Sequence, residues 1–336
     1  MRFHLTSEQV AIQDAVRGTL ADCWGLEHLH RLADSDLDFD TTSWQVLMEL
    51  GIGGLALPEA VGGSDLGLLD AALVCEVAGE AAAPGPLIGQ IVTAIAVAAS
   101  TNPETLALLP EIASGTKVAT LAIETDLVPC ARAAHLFLAD DETGGLRLIE
   151  AGLGVKIEAQ ASTDRSRPVS RVDFSTEAKS HALFSAGDPM VQRILDAALI
   201  LIAADALGGA QHCTDVSVDY AKTREQFGQP IGKFQGLKHQ LAHMALDVEP
   251  ARALVWYAAY AWDAKLADAS RSAAMAKAHL CEVYTRVTRA AIAAHGGIGY
   301  TWEYGLNYWF RRAVHNRAWM GNPSHHRFRA AELAHW

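Results

Sequence analysis

Between Tyr220 and Met244 the chain runs through a helix end, a break and a new helix start: Tyr-Ala-Lys-Thr-Arg-Glu-Gln-Phe-Gly-Gln-Pro-Ile-Gly-Lys-Phe-Gln-Gly-Leu-Lys-His-Gln-Leu-Ala-His-Met. Gly228 and Pro230 end the upstream helix, since neither continues a helical ladder well. Phe234, Leu237, Leu241 and Met244 then recur three and four apart, which predicts a second helix. Upstream, Asp188-Pro189 supplies an N-cap and a first-turn proline, so one long helix is expected from there to Thr223. The corner therefore sets Arg224, Gln226 and Phe227 between two stiff elements. Guanidinium grips phosphate through two parallel hydrogen bonds, so a cation, an amide and a ring placed this way suit a phosphate with an aromatic group beside it. The same residues also make an ordinary helix corner capped by an arginine.

With 336 residues, 50% of them hydrophobic, the chain can bury a large core and hold more than one folding unit. Its formal charge of −12 and the lack of any basic run argue against a nucleic-acid footprint. Any polyphosphate ligand would have to meet locally placed arginines against that overall sign. Cys23, Cys75, Cys130, Cys213 and Cys281 are scattered and odd in number, which reads as reduced core thiols of a cytoplasmic protein. The opening Met1-Arg-Phe-His-Leu-Thr6 lacks an apolar signal core. The most apolar stretch, 194–210, carries Asp196 and Asp205 and reads as a buried helix rather than a membrane span.

In chain order, Thr6 and Gln9 form a capping box, and Ile12, Val16 and Leu20 continue a helical stripe. Residues 41–112 read as further helices separated by Gly and Pro. Gly51-Ile-Gly-Gly-Leu-Ala56 matches a dinucleotide-binding fingerprint on paper, but it follows a helix instead of a strand, and Pro58 stops any helix after it. From Ser114-Gly115 the pattern changes to short alternating runs at 118–123, 135–139, 146–150 and 155–159. Asp140-Asp-Glu-Thr-Gly-Gly145 between two of them has hairpin chemistry. The expected organisation is an N-terminal helical domain at 1–116, a shortened middle β domain at 117–186 and a C-terminal helical bundle at 187–336. The fold class is mainly α with a small β domain.

A second stretch, Ala291-Ile-Ala-Ala-His-Gly-Gly-Ile-Gly-Tyr-Thr-Trp-Glu-Tyr304, puts Gly296, Gly297 and Gly299 just after a helix, with Arg311-Arg312 on the next one. The pair Arg-x-Gln-Phe-Gly and His-Gly-Gly-x-Gly-Tyr, in this order, resembles the acyl-CoA dehydrogenase family. Leu5-Thr-Ser-Glu-Gln9 and Leu50-Gly-Ile-Gly-Gly-Leu-Ala-Leu-Pro-Glu59 extend the likeness towards the N-terminus. The resemblance implies an α–β–α fold and α,β-dehydrogenation of an acyl-CoA thioester. It implies FAD as cofactor and an electron-accepting flavoprotein as partner; from the charge, the acids in the apolar run and the histidine spacing, no nucleic acid, membrane or metal is expected. By the same resemblance, Arg224, Gln226, Phe227, Ile231, Gln235, Gly296 and Gly297 reach a neighbouring chain's FAD. Ala293 departs from the glutamine the family usually has there.

The reaction needs a carboxylate to take the α proton. The family's usual glutamate falls here on Met320, within Trp319-Met-Gly-Asn-Pro-Ser324, and the alternative position on the long helix falls on Ala198. Asp205 is a weak candidate base; Asp196 is the other nearby acid. Near Glu124 the Gly-Ser-Asp loop that relatives use on the flavin ring is missing. The chain thus resembles the smaller, base-lacking subunit of α2β2 acyl-CoA dehydrogenases acting on steroid side chains, paired with a homologous subunit that carries the catalytic glutamate. Two alternatives are a self-sufficient homotetramer with a relocated base and a flavin-free helical protein that binds CoA or a partner.

Other constellations are weaker. His239 and His243 share a helix face, but Gln240 stands where a metalloprotease needs Glu. His325-His326 reads as a solvated pair. Trp302, Trp309 and Trp319 read as packing residues, and no nucleophile-elbow motif supports Ser-His-Asp chemistry.

Overall fold

The computed structural model describes residues 4–336; Met1, Arg2 and Phe3, which open the stretch read as lacking a signal core, lie outside the described residues. Helix α1 (Ser7–Cys23) starts at the capping box: Gln9 N–H donates to the Thr6 hydroxyl at 3.2 Å, and Thr6 N–H donates to Gln9 Oε1 at 3.1 Å. It is followed by α2 (Leu26–Ala33) and α3 (Thr41–Met48), the latter capped by Asp40. The Gly51–Ala56 stretch forms a short 3-10 turn over Ile52–Gly54, so it builds no strand–turn–helix cradle. Helices α4 (Leu68–Glu80), α5 (Leu87–Ala99), α6 (Pro103–Leu106) and α7 (Leu109–Ala113) complete this helical part.

Seven strands follow: β1 (Ala119–Ala122), β2 (Leu127–Pro129), β3 (Leu136–Asp140), β4 (Leu146–Glu150), β5 (Val155–Ala159), β6 (Val169–Phe174) and β7 (Ser180–Phe184). They form two sheets, one of order β1-β3-β4-β7 and one of order β2-β6-β5. Only β1 and β3 run parallel, with Leu121 opposite Leu138. The β3–β4 hairpin closes over Asp141, whose carboxylate accepts from the N–H groups of Thr143 and Gly145 at 2.8 Å each. The second sheet pairs strands distant in sequence, so local alternation gave only part of it.

Helix α8 (Pro189–Thr223) opens on Asp188, which accepts from Met190 N–H at 2.8 Å. It is the spine of the molecule, packed by α4, α5, α9 (Gln235–Asp263) and α10 (Ala269–His295). Residues 196–210 of α8 are all buried, which explains an apolar run interrupted by two acids. The α4–α8 crossing is close: a Cβ on Gly208 would sit 1.7 Å from the Glu76 carbonyl oxygen, and one on Gly79 would sit 2.1 Å from that of Asp205. Helices α11 (Leu306–Ala318) and α12 (Pro323–Leu333) end the chain. Trp309 packs into this core, its ring stacked on His212 at 4.0 Å with its indole N–H on the Gly79 and Glu80 carbonyls. Among the described residues no helix is long and apolar enough to cross a membrane.

One expectation fails here. His326 is buried rather than solvated, because the first turn of α12 docks beneath the Met320 turn, and its Nε2 donates to the Met320 carbonyl at 2.7 Å. Desolvation keeps that imidazole neutral and lowers its pKa to about 4.

Candidate functional site

Two places matter: an exposed corner and a closed crevice. At the corner, α8 ends on Arg224, whose N–H closes the last turn on the Tyr220 carbonyl at 2.8 Å. Glu225–Gln226 and Gln229–Pro230 then pair as a two-residue hairpin around Phe227 and Gly228. Both turn residues are left-handed, at φ 54° and 76°. Such a turn suits Asn-Gly, and a phenylalanine there costs about 1–3 kcal/mol of backbone strain. Phe227 is also 92% exposed, its ring set edge-on to Phe234 at a centroid separation of 6.0 Å. A strained backbone that holds an aromatic ring out in water does nothing for this chain's own packing.

The side chains of Arg224, Gln226 and Gln235 are exposed, and Ile231 is half-buried. Arg224 forms no ion pair among the described residues, and the Gln226 amide donates only to the adjacent Glu225 carbonyl. The glycine motif lies beside this corner. Tyr220, on the last turn of α8, stacks on His295, on the last turn of α10, at 4.4 Å; Gln240 of α9 donates to the Ala290 carbonyl at 2.9 Å. Gly296 takes φ 64°, and a Cβ on Gly296 or Gly297 would meet nothing within 4 Å, so their backbone is open to an approaching ligand. The fold thus gathers both sequence motifs on one exposed edge.

The crevice between α4, α5, the sheets, α8 and α11 is the opposite case. Only about 10 Å³ is open among Cys75, Pro86, Thr120, Arg167, Asp205 and Trp319, too little for an acyl chain. It is closed by a buried charge network. Arg312 donates to both Asp205 oxygens through Nε at 3.1 Å, again through Nη2, and through Nη1 to the Ala83 carbonyl and Ser166 hydroxyl at 2.9 Å. Asn316 Nδ2 donates to Asp205 at 2.6 Å, while Arg167 donates to Asp164 at 3.3 Å and to Asn316 Oδ1 at 2.6 Å. Two carboxylates face two guanidiniums, so the cluster is neutral.

Burial by itself would raise the Asp205 pKa, but Arg312 and Arg167 outweigh it and hold the carboxylate below its usual range. Asp164 is lowered in the same way, its burial outweighed by Arg167 and Arg312. A base pinned between two guanidiniums has little affinity for a substrate proton. Asp196 is also fixed, accepting from Ser270 at 2.6 Å and from Gln192 at 3.1 Å. Ala198 is fully buried. Met320, at φ 53°, sits in a turn clamped by His326 and by Lys277 Nζ, which donates to the Asn316 and Gly321 carbonyls at 2.9 Å each. Glu124 is exposed, its N–H on Asp140 at 3.3 Å. Sequence reading missed Asp164, Arg167 and Asn316; the available signal was an acid inside an apolar helix, which needs a cation from elsewhere.

Comparison with known proteins matches residues 6–116 to the acyl-CoA dehydrogenase N-terminal domain and residues 186–332 to the acyl-CoA dehydrogenase C-terminal domain. The chain is 32% identical over 323 residues to acyl-CoA dehydrogenase IpdE2 of Mycolicibacterium smegmatis, covering 95% of this chain and 96% of that one. It is 32% identical to the IpdE2 of Mycobacterium tuberculosis, covering 94% of each. Among solved structures, the Tcur3481-Tcur3483 steroid ACAD superimposes with a TM-score of 0.89 at 28% identity, over 98% of both chains. A chain of the ChsE4-ChsE5 complex from Mycobacterium tuberculosis shares the fold, with a TM-score of 0.88 at 23% identity, over 100% of this chain and 99% of that one.

Proposed function

The chain belongs to the acyl-CoA dehydrogenase family, and from that premise we propose that it is the base-lacking subunit of a two-chain enzyme whose flavin site it completes. The observation carrying this reading is the contrast just described. The edge formed by Arg224, Phe227, Gln235, Gly296 and Gly297 is exposed and fits a diphosphate with a ring beside it, while the crevice beside Met320 is closed by Asp205 and Arg312. When bound, FAD would accept the β hydrogen of the acyl thioester as hydride.

This chain's own residues then have a binding task. The Arg224 fork pairs with diphosphate oxygens, the Gly296 and Gly297 backbone lets the cofactor approach, and Phe227 packs against it in place of water. The proton from the α carbon goes to a carboxylate on the partner chain, since Met320 carries a thioether and Asp205 is neutralised by Arg312. The relation to a steroid ACAD named for two components supports both the two-chain assembly and a bulky, steroid-type acyl-CoA as substrate. Reoxidation by an electron-accepting flavoprotein completes the cycle.

The experiment is co-purification with the homologous subunit followed by flavin analysis. A yellow complex, with this chain colourless when expressed alone, is the expected result. Yellow, active preparations of this chain by itself would instead favour a self-sufficient enzyme, and a flavin-free complex would favour a purely structural subunit.

A further inference from the structure

A cavity of about 510 Å³ opens between α1, α2, α4, α8 and the start of α11, and it takes no part in the flavin half-site. Its lining has no residue in common with the closed crevice or with the Arg224 edge. Helix α4 divides the two hollows: Cys75 and Ala78 line the crevice, while Val77, Glu80 and Ala81 line the cavity. Leu20 and Trp24, four residues apart at the end of the α1 stripe, are delivered to its wall by the same spacing that packs α1. The volume lies within the roughly 300–1,000 Å³ that small-molecule sites span.

The wall is apolar and carries no free charge. Leu20, Leu29, Val77 and Leu306 contribute to it, and its charged side chains, Arg17 and Glu80, neutralise each other at 3.1 Å. His212, also in the wall, is kept neutral by desolvation, its pKa lowered to about 4. Its ring lies flat against Trp309 at 4.0 Å, and both rings border the cavity. A phosphate or carboxylate would find no unpaired cation here, and burying it without one is unfavourable.

One donor is left over. Trp24 is 4% exposed, lines the cavity, and its indole N–H has no acceptor among the described residues. Buried indole N–H groups usually find a partner. An ordered water needs about two to four polar partners, and the leucines and valine of the wall supply none. We propose that this cavity binds a neutral fused-ring molecule of steroid size, whose carbonyl or hydroxyl oxygen accepts from the Trp24 N–H. A flat, rigid body suits the His212 and Trp309 rings and loses little freedom on binding, whereas a flexible chain gives up rotamers along its length. The site rests on the chemistry of its wall and stands whether or not this chain completes a flavin site.

The test titrates progesterone, a neutral fused-ring diketone, into the co-purified assembly by calorimetry, with decanol as the flexible neutral alternative. Saturable binding of progesterone, one per copy of this chain, is expected. Ala21 is exposed and borders the cavity, so Ala21→Phe sets a ring in its mouth; it should abolish this binding while flavin content and circular dichroism stay unchanged. Trp24→Phe keeps an aromatic ring but removes the donor, and should weaken binding about two- to tenfold. Progesterone binding that survives Ala21→Phe lies elsewhere in the assembly and overturns the proposal. So does an assembly that binds no progesterone, or one that binds decanol more tightly. Affinity unchanged in Trp24→Phe overturns the role of the indole donor.

Discussion

Replacing Asp205 by asparagine separates structure from chemistry at an acidic side chain that lines the crevice. Asp205 is 2% exposed and Arg312 3% exposed, and the carboxylate accepts from Arg312 and Asn316 with Arg167 close by. Asparagine keeps the shape but removes the charge, leaving two buried guanidiniums facing Asp164 alone. Breaking a buried pair in this way costs about 3–5 kcal/mol. At about 2.1 cal/mol/K per residue, the 336 residues melt with an entropy of about 0.7 kcal/mol/K, so Tm should fall by about 4–7 °C. Turnover per bound flavin, measured in the assembled complex below the new Tm, should stay within about twofold. Removing a true general base would cost about 10² to 10⁴ in rate. A loss of that size, with fold and flavin content retained, would refute the argument and place the base in this chain. Asp205→Leu combined with Arg312→Met should recover much of the lost stability, because a buried pair exchanged for apolar residues is often near neutral.

Three further predictions concern the edge and the pH response. Arg224→Ala should cut the flavin content of the purified complex while leaving its circular dichroism unchanged; Phe227→Gly should relieve the left-handed strain, so that Tm holds or rises while flavin retention falls. His212, His315 and His326 have pKa values lowered to about 4, with desolvation the main cause in each. Their folded pKa lies below the unfolded value of about 6.5, so the unfolded chain binds more protons and stability should be lost as pH falls from about 6.5 towards 4. Tm measured across that range should decline, and His212→Phe, which keeps a ring against Trp309, should flatten the decline; a Tm that rises on acidification would contradict the assignment.

Local signals carried most of the helical part of the fold. The Thr6–Gln9 box, the Asp188-Pro189 start and the Gly228–Pro230 break each act within one turn of chain, so residue types alone placed α1, α8 and α9. The sheets were harder. The alternation over Leu146–Glu150 and Val155–Ala159 was readable, yet the pairing of β2 with β6, Val128 opposite Ser170, depends on contacts that no local pattern encodes. The same holds for the crevice. Asp205 could be singled out as an acid in an apolar helix, but its partners Arg312 and Asn316 arrive from more than a hundred residues away, at separations of 107 and 111. His326 was misread because two adjacent histidines look solvated, whereas the docking of α12 under the Met320 turn buries one of them. The exposed edge was legible because its arginine, aromatic and glycines are few, specific and close together in two short stretches.

Flavin stoichiometry tests the central claim most directly. A cofactor that bridges two chains stabilises the pair and hardly binds either one alone. With the crevice beside Met320 closed, each pair of unlike chains should build one complete site, from the partner's ring-binding half and this chain's Arg224–Gly297 edge. Flavin released by denaturation, set against total protein in the co-purified complex, should therefore come to about one FAD for every two chains. One FAD per chain, or an active yellow preparation of this chain alone, would contradict the half-site account.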